Sequence, residues 1–153
     1  MEKTTIYMKK AILEAKKASI IKEVPVGAVI VKNGKIIARG YNKRETTNDA
    51  TSHAEITAIK KACKKLNSWR LVGCDIYVTL EPCPMCCGAI INSRIENVYF
   101  GSYDYKSGSF GSVTDLSKVS EYNHHPNIFG GILQQECSEM LSDFFKKLRK
   151  GEI

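Results

Sequence analysis

No apolar run in the chain approaches the roughly 18 residues a membrane-spanning helix needs. Met1-Glu2-Lys3-Thr4-Thr5 opens with charge and leads into no apolar signal core, so a cytoplasmic protein without a membrane partner is expected. No internal repeat and no linker divides the 153 residues, which therefore read as one domain, 1–153. A disulfide framework is not expected either, because that reading suits short secreted chains. Cys63, Cys74, Cys87 and Cys137 lie singly in apolar or helical stretches and read as reduced packing thiols. Acidic residues are in deficit, 16 against 23 lysines and arginines, for a net charge of +7. The excess is clustered at Lys60-Lys61, Lys64-Lys65 and from Lys146 to Lys150, which favours an anionic partner over a merely solvated basic surface.

What is present begins with an amphipathic helix over about 5–20, where Tyr7, Met8, Ala11, Ile12, Ala15 and Ala18 recur at helical spacing. Val26 to Val31 is a continuous apolar run, hence a buried strand. Asn33-Gly34 is a two-residue hairpin turn, and Ile36 to Tyr41 returns antiparallel. Asn42 to Ser52 reads as a loop, and from His53 a helical pattern begins. A strand over Ile76–Leu80, a helix over Met85–Ser93 and a strand over Val98–Gly101 follow. That alternation implies an α/β sheet with parallel members covered by helices. The glycine- and serine-rich stretch Ser102–Ser112 reads as a mobile surface loop. Asn127–Ile132 is a candidate last strand, and Gln135–Lys150 a closing helix with Met140, Leu141, Phe144, Phe145 and Leu148 along its apolar side.

The chemistry concentrates in His53-Ala54-Glu55 and, thirty positions after the histidine, Pro82-Cys83-Pro84-Met85-Cys86. One imidazole and two thiols are ligands of the types zinc prefers, and three protein ligands leave a fourth tetrahedral position for water, as in catalytic sites. Glu55 is a carboxylate close enough to move protons to and from that water. Cys83 and Cys86, spaced i, i+3, face the same way on the first turn of a helix whose positive end favours thiolates. His53 and Glu55, spaced i, i+2, converge only if the metal lies beyond a helix end. A redox C-x-x-C pair is the first rival, but prolines on both sides of Cys83 suit a metal loop better. A structural zinc completed by Cys87, His124 or His125 is the second; it would leave Glu55 without a purpose. Asn42 has an ordinary reading as a turn residue ending the hairpin.

His53-Ala54-Glu55 with Pro82-Cys83-Pro84-Met85-Cys86 resembles the cytidine deaminase-like superfamily of zinc nucleobase deaminases. Within it the chain is most similar to the bacterial tRNA-specific adenosine deaminases, through Pro25-Val26-Gly27-Ala28-Val29, Gly40-Tyr41-Asn42, Ser93-Arg94-Ile95, Gly108-Ser109-Phe110-Gly111-Ser112 and Leu141-Ser142-Asp143-Phe144-Phe145. The resemblance implies a three-layer α/β/α fold around a mixed sheet of about five strands, a homodimer, and one Zn2+ per chain held by His53, Cys83 and Cys86. It implies hydrolytic conversion of adenosine to inosine at the wobble position of a tRNA anticodon. A zinc-activated water would attack C6 of adenine, and Glu55 would deliver protons to the ring nitrogen and the departing ammonia. Asn42 would hydrogen-bond the base, with Val26 and Ala54 shaping the pocket around its flat faces. Asp104, Lys106, Asn123, Phe144 and Phe145 would contact the extruded nucleotide or the anticodon loop. Because adjacent helix positions do not both face inward, one phenylalanine is expected to pack internally. Arg70, Arg94, Lys147 and Arg149 would contact the RNA backbone. Ser102-Tyr103-Asp104-Tyr105 and Tyr122-Asn123-His124-His125 depart from the family's pattern, and His53–Ala62 would also suit a guanine deaminase. The alternatives are therefore a guanine (free-base) deaminase, or a non-catalytic zinc-containing RNA-binding module.

Overall fold

The computed structural model describes residues 2–153. Its elements run α1 (Glu2–Ile20), β1 (Gly27–Lys32), β2 (Lys35–Tyr41), α2 (Ala54–Leu66), β3 (Cys74–Leu80), α3 (Pro84–Asn92), β4 (Asn97–Ser102), β5 (Asn127–Phe129) and α4 (Gln134–Arg149). One mixed five-stranded sheet has the order β2-β1-β3-β4-β5. The β1–β2 and β1–β3 pairs are antiparallel, whereas β3–β4 and β4–β5 are parallel. The expected α/β architecture and its parallel members are therefore present. No helix among the described residues is long and apolar enough to cross a membrane.

The hairpin forms as its turn chemistry dictates: Asn33 and Gly34 both take positive φ, 51° and 74°, which matches the twist of the strands they join. Strand β1 is apolar on both faces because helices cover both. Ala28 and Ile30 join Ile76, Val78, Val98 and Phe100 under α2 and α3. Val29, Val31 and Tyr77 turn the other way, towards Met8, Ala11 and Ile12 of α1 and Cys137 of α4. This alternation with a period of two gives the three-layer α/β/α arrangement.

Two expectations need correction. The last strand stops at Phe129 instead of reaching Ile132. Ser102–Ser112 is not a free surface loop: Gly108, Ser109 and Phe110 are buried, because backbone N–H groups of this stretch converge on a buried carboxylate, Glu81. Composition carries no sign of such a long-range anchor.

Helix α2 approaches β2 closely at Gly40, where an added Cβ would sit 2.4 Å from the Ala54 carbonyl oxygen and 2.9 Å from Ala58 N. This contact seats the start of α2, the turn that holds His53 and Glu55, against the sheet. Gly40→Ala is expected to cost about 1–3 kcal/mol through overpacking, read as a lower thermal midpoint. An unchanged midpoint would show that α2 has room to yield.

Candidate active site

Three strand ends and one strand start share a single edge of the sheet: Tyr41 of β2, Leu80 of β3, Ser102 of β4 and Gly27 of β1. Open α/β sheets bind ligands beyond the carboxyl ends of their parallel strands. Here α2 and α3 both begin at that edge. His53 is the N-cap of α2 and Cys83 the N-cap of α3, each with extended backbone and no side-chain capping bond. The positions that usually carry a capping serine or aspartate thus carry metal-ligating side chains. Pro84 occupies the first turn of α3, where no N–H is missed.

The two N-termini bring His53, Cys83 and Cys86 together, with their donor atoms all within 4.8 Å of one another. His53 Nδ1 lies 3.6 Å from Cys83 Sγ and 3.5 Å from Cys86 Sγ. Tetrahedral zinc with ordinary Zn–N and Zn–S bonds requires an N···S separation of about 3.6 Å, so donor types and spacing both fit. Among the described residues these three form the only cluster of at least three such donors. Cys87 turns inward and donates to the Pro82 carbonyl at 3.4 Å. His124 and His125 are engaged with the Ile95 and Val119 carbonyls. The rival with four protein ligands is therefore not built.

Of the three donors, Cys83 is biased towards the deprotonated form that binds a cation, and the protons are held on the other two. Hydrogen bonds from Cys86 and His53 hold the Cys83 thiol down to about 4, despite partial burial. The hydrogen bond to Cys83 raises the His53 pKa, and the Cys86 thiol is pushed up by its bond to Cys83 and by burial. A cation at such a set is taken up with release of protons. Burial lifts the Glu55 carboxyl to about 7; the group is 4% exposed. A carboxyl near neutrality can both accept and donate a proton, as general acid–base work requires.

Above this floor opens a cavity of about 640 Å³. Val26, Asn42 and Ala54 line it, as do Asp104 and Lys106. Asn42 is 7% exposed, and backbone bonds fix its amide: Nδ2 donates to the Val24 carbonyl and Oδ1 accepts from Arg44 N–H. Its turn role and its place at the cavity are thus compatible. The two phenylalanines separate: Phe145, 40% exposed, lines the cavity, while Phe144, 6% exposed, packs into the body. Phe144 stands outside this cavity and borders a second groove, so of the two only Phe145 reaches the cavity. Asn123 is exposed and lies outside the cavity lining. Lys147 borders a second groove with Ser19, Ile20 and Phe144, and Arg149 is exposed on the last turn of α4. Arg70 and Arg94 flank the exposed Trp69 ring, at 4.3 and 5.8 Å from its centroid, instead of the cavity.

The sequence reading missed Arg44, Tyr103, Tyr105, Ser107 and Leu141, which also line the cavity. The aromatic pair in Tyr103-Asp104-Tyr105 was a usable signal. Arg44 sits in an aperiodic loop and offered none.

The MafB19-like deaminase family matches residues 2–149. This chain belongs to that deaminase family. It is 51% identical, over 150 residues, to the tRNA-specific adenosine deaminase of Bacillus subtilis, covering 98% of this chain and 93% of the relative. A solved structure from a study of A-to-I editing by tRNA:A34 deaminases superposes with a TM-score of 0.85 at 43% identity, covering 90% of this chain and 99% of that one. The structure of a guanine deaminase from Bacillus subtilis superposes with a TM-score of 0.63 at 34% identity, covering 95% and 92%. A non-catalytic binding module is set aside by this membership and by the buried Glu55.

The cavity's opposite wall hangs on Glu23. Its buried carboxylate accepts from Glu45 N–H at 3.1 Å and from Thr46 N–H. Burial alone would raise its pKa, but the bonds from Thr46 and Glu45, with Arg44 nearby, outweigh it and hold the carboxyl below its ordinary value. A group depressed on folding stabilises fully above its unfolded pKa, about 4.3, and loses that contribution as pH falls through the folded value. Glu23→Gln in this deaminase should cost about 1–3 kcal/mol at neutral pH and flatten the acid side of its stability profile below about pH 4.5. An acid limb identical to that of the wild type would remove Glu23 from this role. For the donor set, Cys86→Ala is expected to lose bound zinc while Cys87→Ala keeps about one equivalent. Equal zinc loss in both would mean that the ligand set is wrong.

Proposed function

We propose that this deaminase hydrolyses adenosine to inosine at the wobble position of a tRNA anticodon, with release of ammonia. The observation that carries the reading is a buried Glu55 beside a three-donor cluster, under a cavity walled by Asp104, Lys106 and Phe145. The identity to a tRNA-specific adenosine deaminase over nearly its whole length supports the choice of substrate. An anticodon nucleotide is already partly unstacked, so splaying it into a cavity costs little.

Zinc held by His53, Cys83 and Cys86 would supply Lewis acidity that lowers the pKa of a water in the open position. Glu55 takes one proton from the attacking water and passes it to the ring nitrogen, then takes the second from the hydroxyl formed at C6 and passes it to the departing amine. Water enters at C6 and ammonia leaves, so the carboxyl ends as it began. Val26 and Ala54 bracket the faces of the base. Asn42 retains one N–H and one lone pair beyond its backbone bonds for the edge of the base. Asp104, Lys106 and Phe145 meet the neighbouring nucleotides; Asn123, Arg70, Arg94, Lys147 and Arg149 belong to a wider RNA surface outside the cavity. A homodimer and a cytoplasmic location complete the proposal. The candidate dimer helix α3 buries Ile90 and Ile91 beneath it and packs Ala89 against the core, which leaves Pro84, Met85, Gly88 and Asn92 as the more open positions.

A second reading, guanine deamination, is favoured by the 34% identity to a guanine deaminase. Ammonia release from an anticodon stem-loop, from free guanine and from free cytidine separates the two. The expected result is release from the stem-loop with inosine formed; release from guanine alone would transfer the assignment. Glu55→Ala should keep its zinc while turnover falls about 10²–10⁴-fold.

A further inference from the structure

Glu81 stands between β3 and the Cys83 turn, and the chemistry proposed above leaves it without a task. Its side chain is 2% exposed, and none of the ion pairs among the described residues involves it. The carboxylate instead collects donors from one loop. Asp104 N–H donates to Oε1, Phe110 N–H and Ser112 N–H donate to Oε2, each at 3.1 Å, and the Ser112 hydroxyl donates to Oε1. Gly108 lets the backbone wrap this closely, since an added Cβ would lie 2.4 Å from Glu81 Cδ. Two backbone bonds fasten the same place: Glu81 N–H to the Ser102 carbonyl at 2.8 Å, and Ser109 N–H to the Pro82 carbonyl at 2.9 Å. From the anchored Asp104 the chain turns, its carboxylate accepting from Lys106 N–H, Ser107 N–H and the Ser107 hydroxyl. Asp104 to Ser107 form one wall of the cavity.

We propose that Glu81 is a positioning residue for substrate binding. It holds the 104–112 loop at a set height above the metal-ligand turn, so that the groups meeting the nucleotide are presented before substrate arrives. A buried carboxylate suits this task because it accepts several N–H bonds at once and offers no donor of its own. An amide in its place turns an NH2 group towards backbone N–H donors and releases part of the loop. The consequence falls on binding, since none of the bonds that the Glu81 carboxylate accepts comes from Glu55, His53, Cys83 or Cys86.

The inference rests on reading the cavity as the site of an RNA nucleotide, and the test separates the two. Kinetics on an anticodon stem-loop, with zinc content measured in parallel, are compared for wild type, Glu81→Gln, Lys106→Ala and the double variant. Expected for Glu81→Gln is a KM raised about tenfold, the scale of one lost charge-assisted hydrogen bond, with kcat within about threefold of wild type and zinc retained. The double variant should be less impaired than the product of the single effects, because both act through one loop. Ser112→Ala, which keeps the carboxylate and removes one donor, should raise KM in the same direction by less, and it decides the matter if Glu81→Gln does not fold. A fall in kcat at unchanged KM, loss of zinc, or fully multiplicative effects would overturn the assignment. Wild-type protein inactive on the stem-loop would sink the substrate reading instead; Glu81 is then judged by the same KM comparison on whichever panel base the protein does deaminate.

Discussion

Two helices begin at the same edge of one sheet, and each begins on a residue whose side chain could ligate a metal. His53 caps α2, Cys83 caps α3, and Cys86 lies on the first turn after Cys83. Everything that could be chemical here follows from that convergence. The donor atoms meet because β3 and β4 are parallel neighbours whose crossover places α3 over the sheet, while β1 and β2 bring α2 alongside it. The N-terminal helix charge favours thiolate at that point. Glu55, on the first turn of α2, is buried by the same packing and so acquires a pKa suited to moving protons.

The walls of the cavity follow a different physical rule. Neither the 42–52 loop nor the 102–112 loop has a periodic apolar face to pack with. Each is tied down instead by a buried carboxylate that gathers backbone N–H groups: Glu23 on one side, Glu81 on the other. A buried carboxylate is costly unless several donors satisfy it; both groups collect backbone N–H donors, and Glu23 has Arg44 nearby as well. Rigid walls of irregular chain suit the recognition of a splayed base, because the ordering cost has been met before binding.

Much of this was readable in residue order. The continuous apolar run Val26–Val31, the Asn33-Gly34 turn and the i, i+3 spacing of Cys83 and Cys86 act over a few residues, and local composition, spacing or turn chemistry decides them. What escaped was long-range. Glu81 meets residues more than twenty positions away, and a glycine- and serine-rich stretch looks free until its anchor is known. Arg44 reaches the cavity from a loop whose path is set by Glu23.

Residue order by itself determined the candidate donor set, the carboxylate beside it and the layered α/β plan, because residue identity and short-period patterns are local properties. Only the tertiary structure decided which phenylalanine of Phe144-Phe145 faces the cavity, that Asn123, Arg70 and Arg94 stand outside it, and that the 102–112 loop is an anchored wall. Those outcomes depend on how separately encoded elements pack against one another, and no local pattern records the relative placement of segments far apart in the chain.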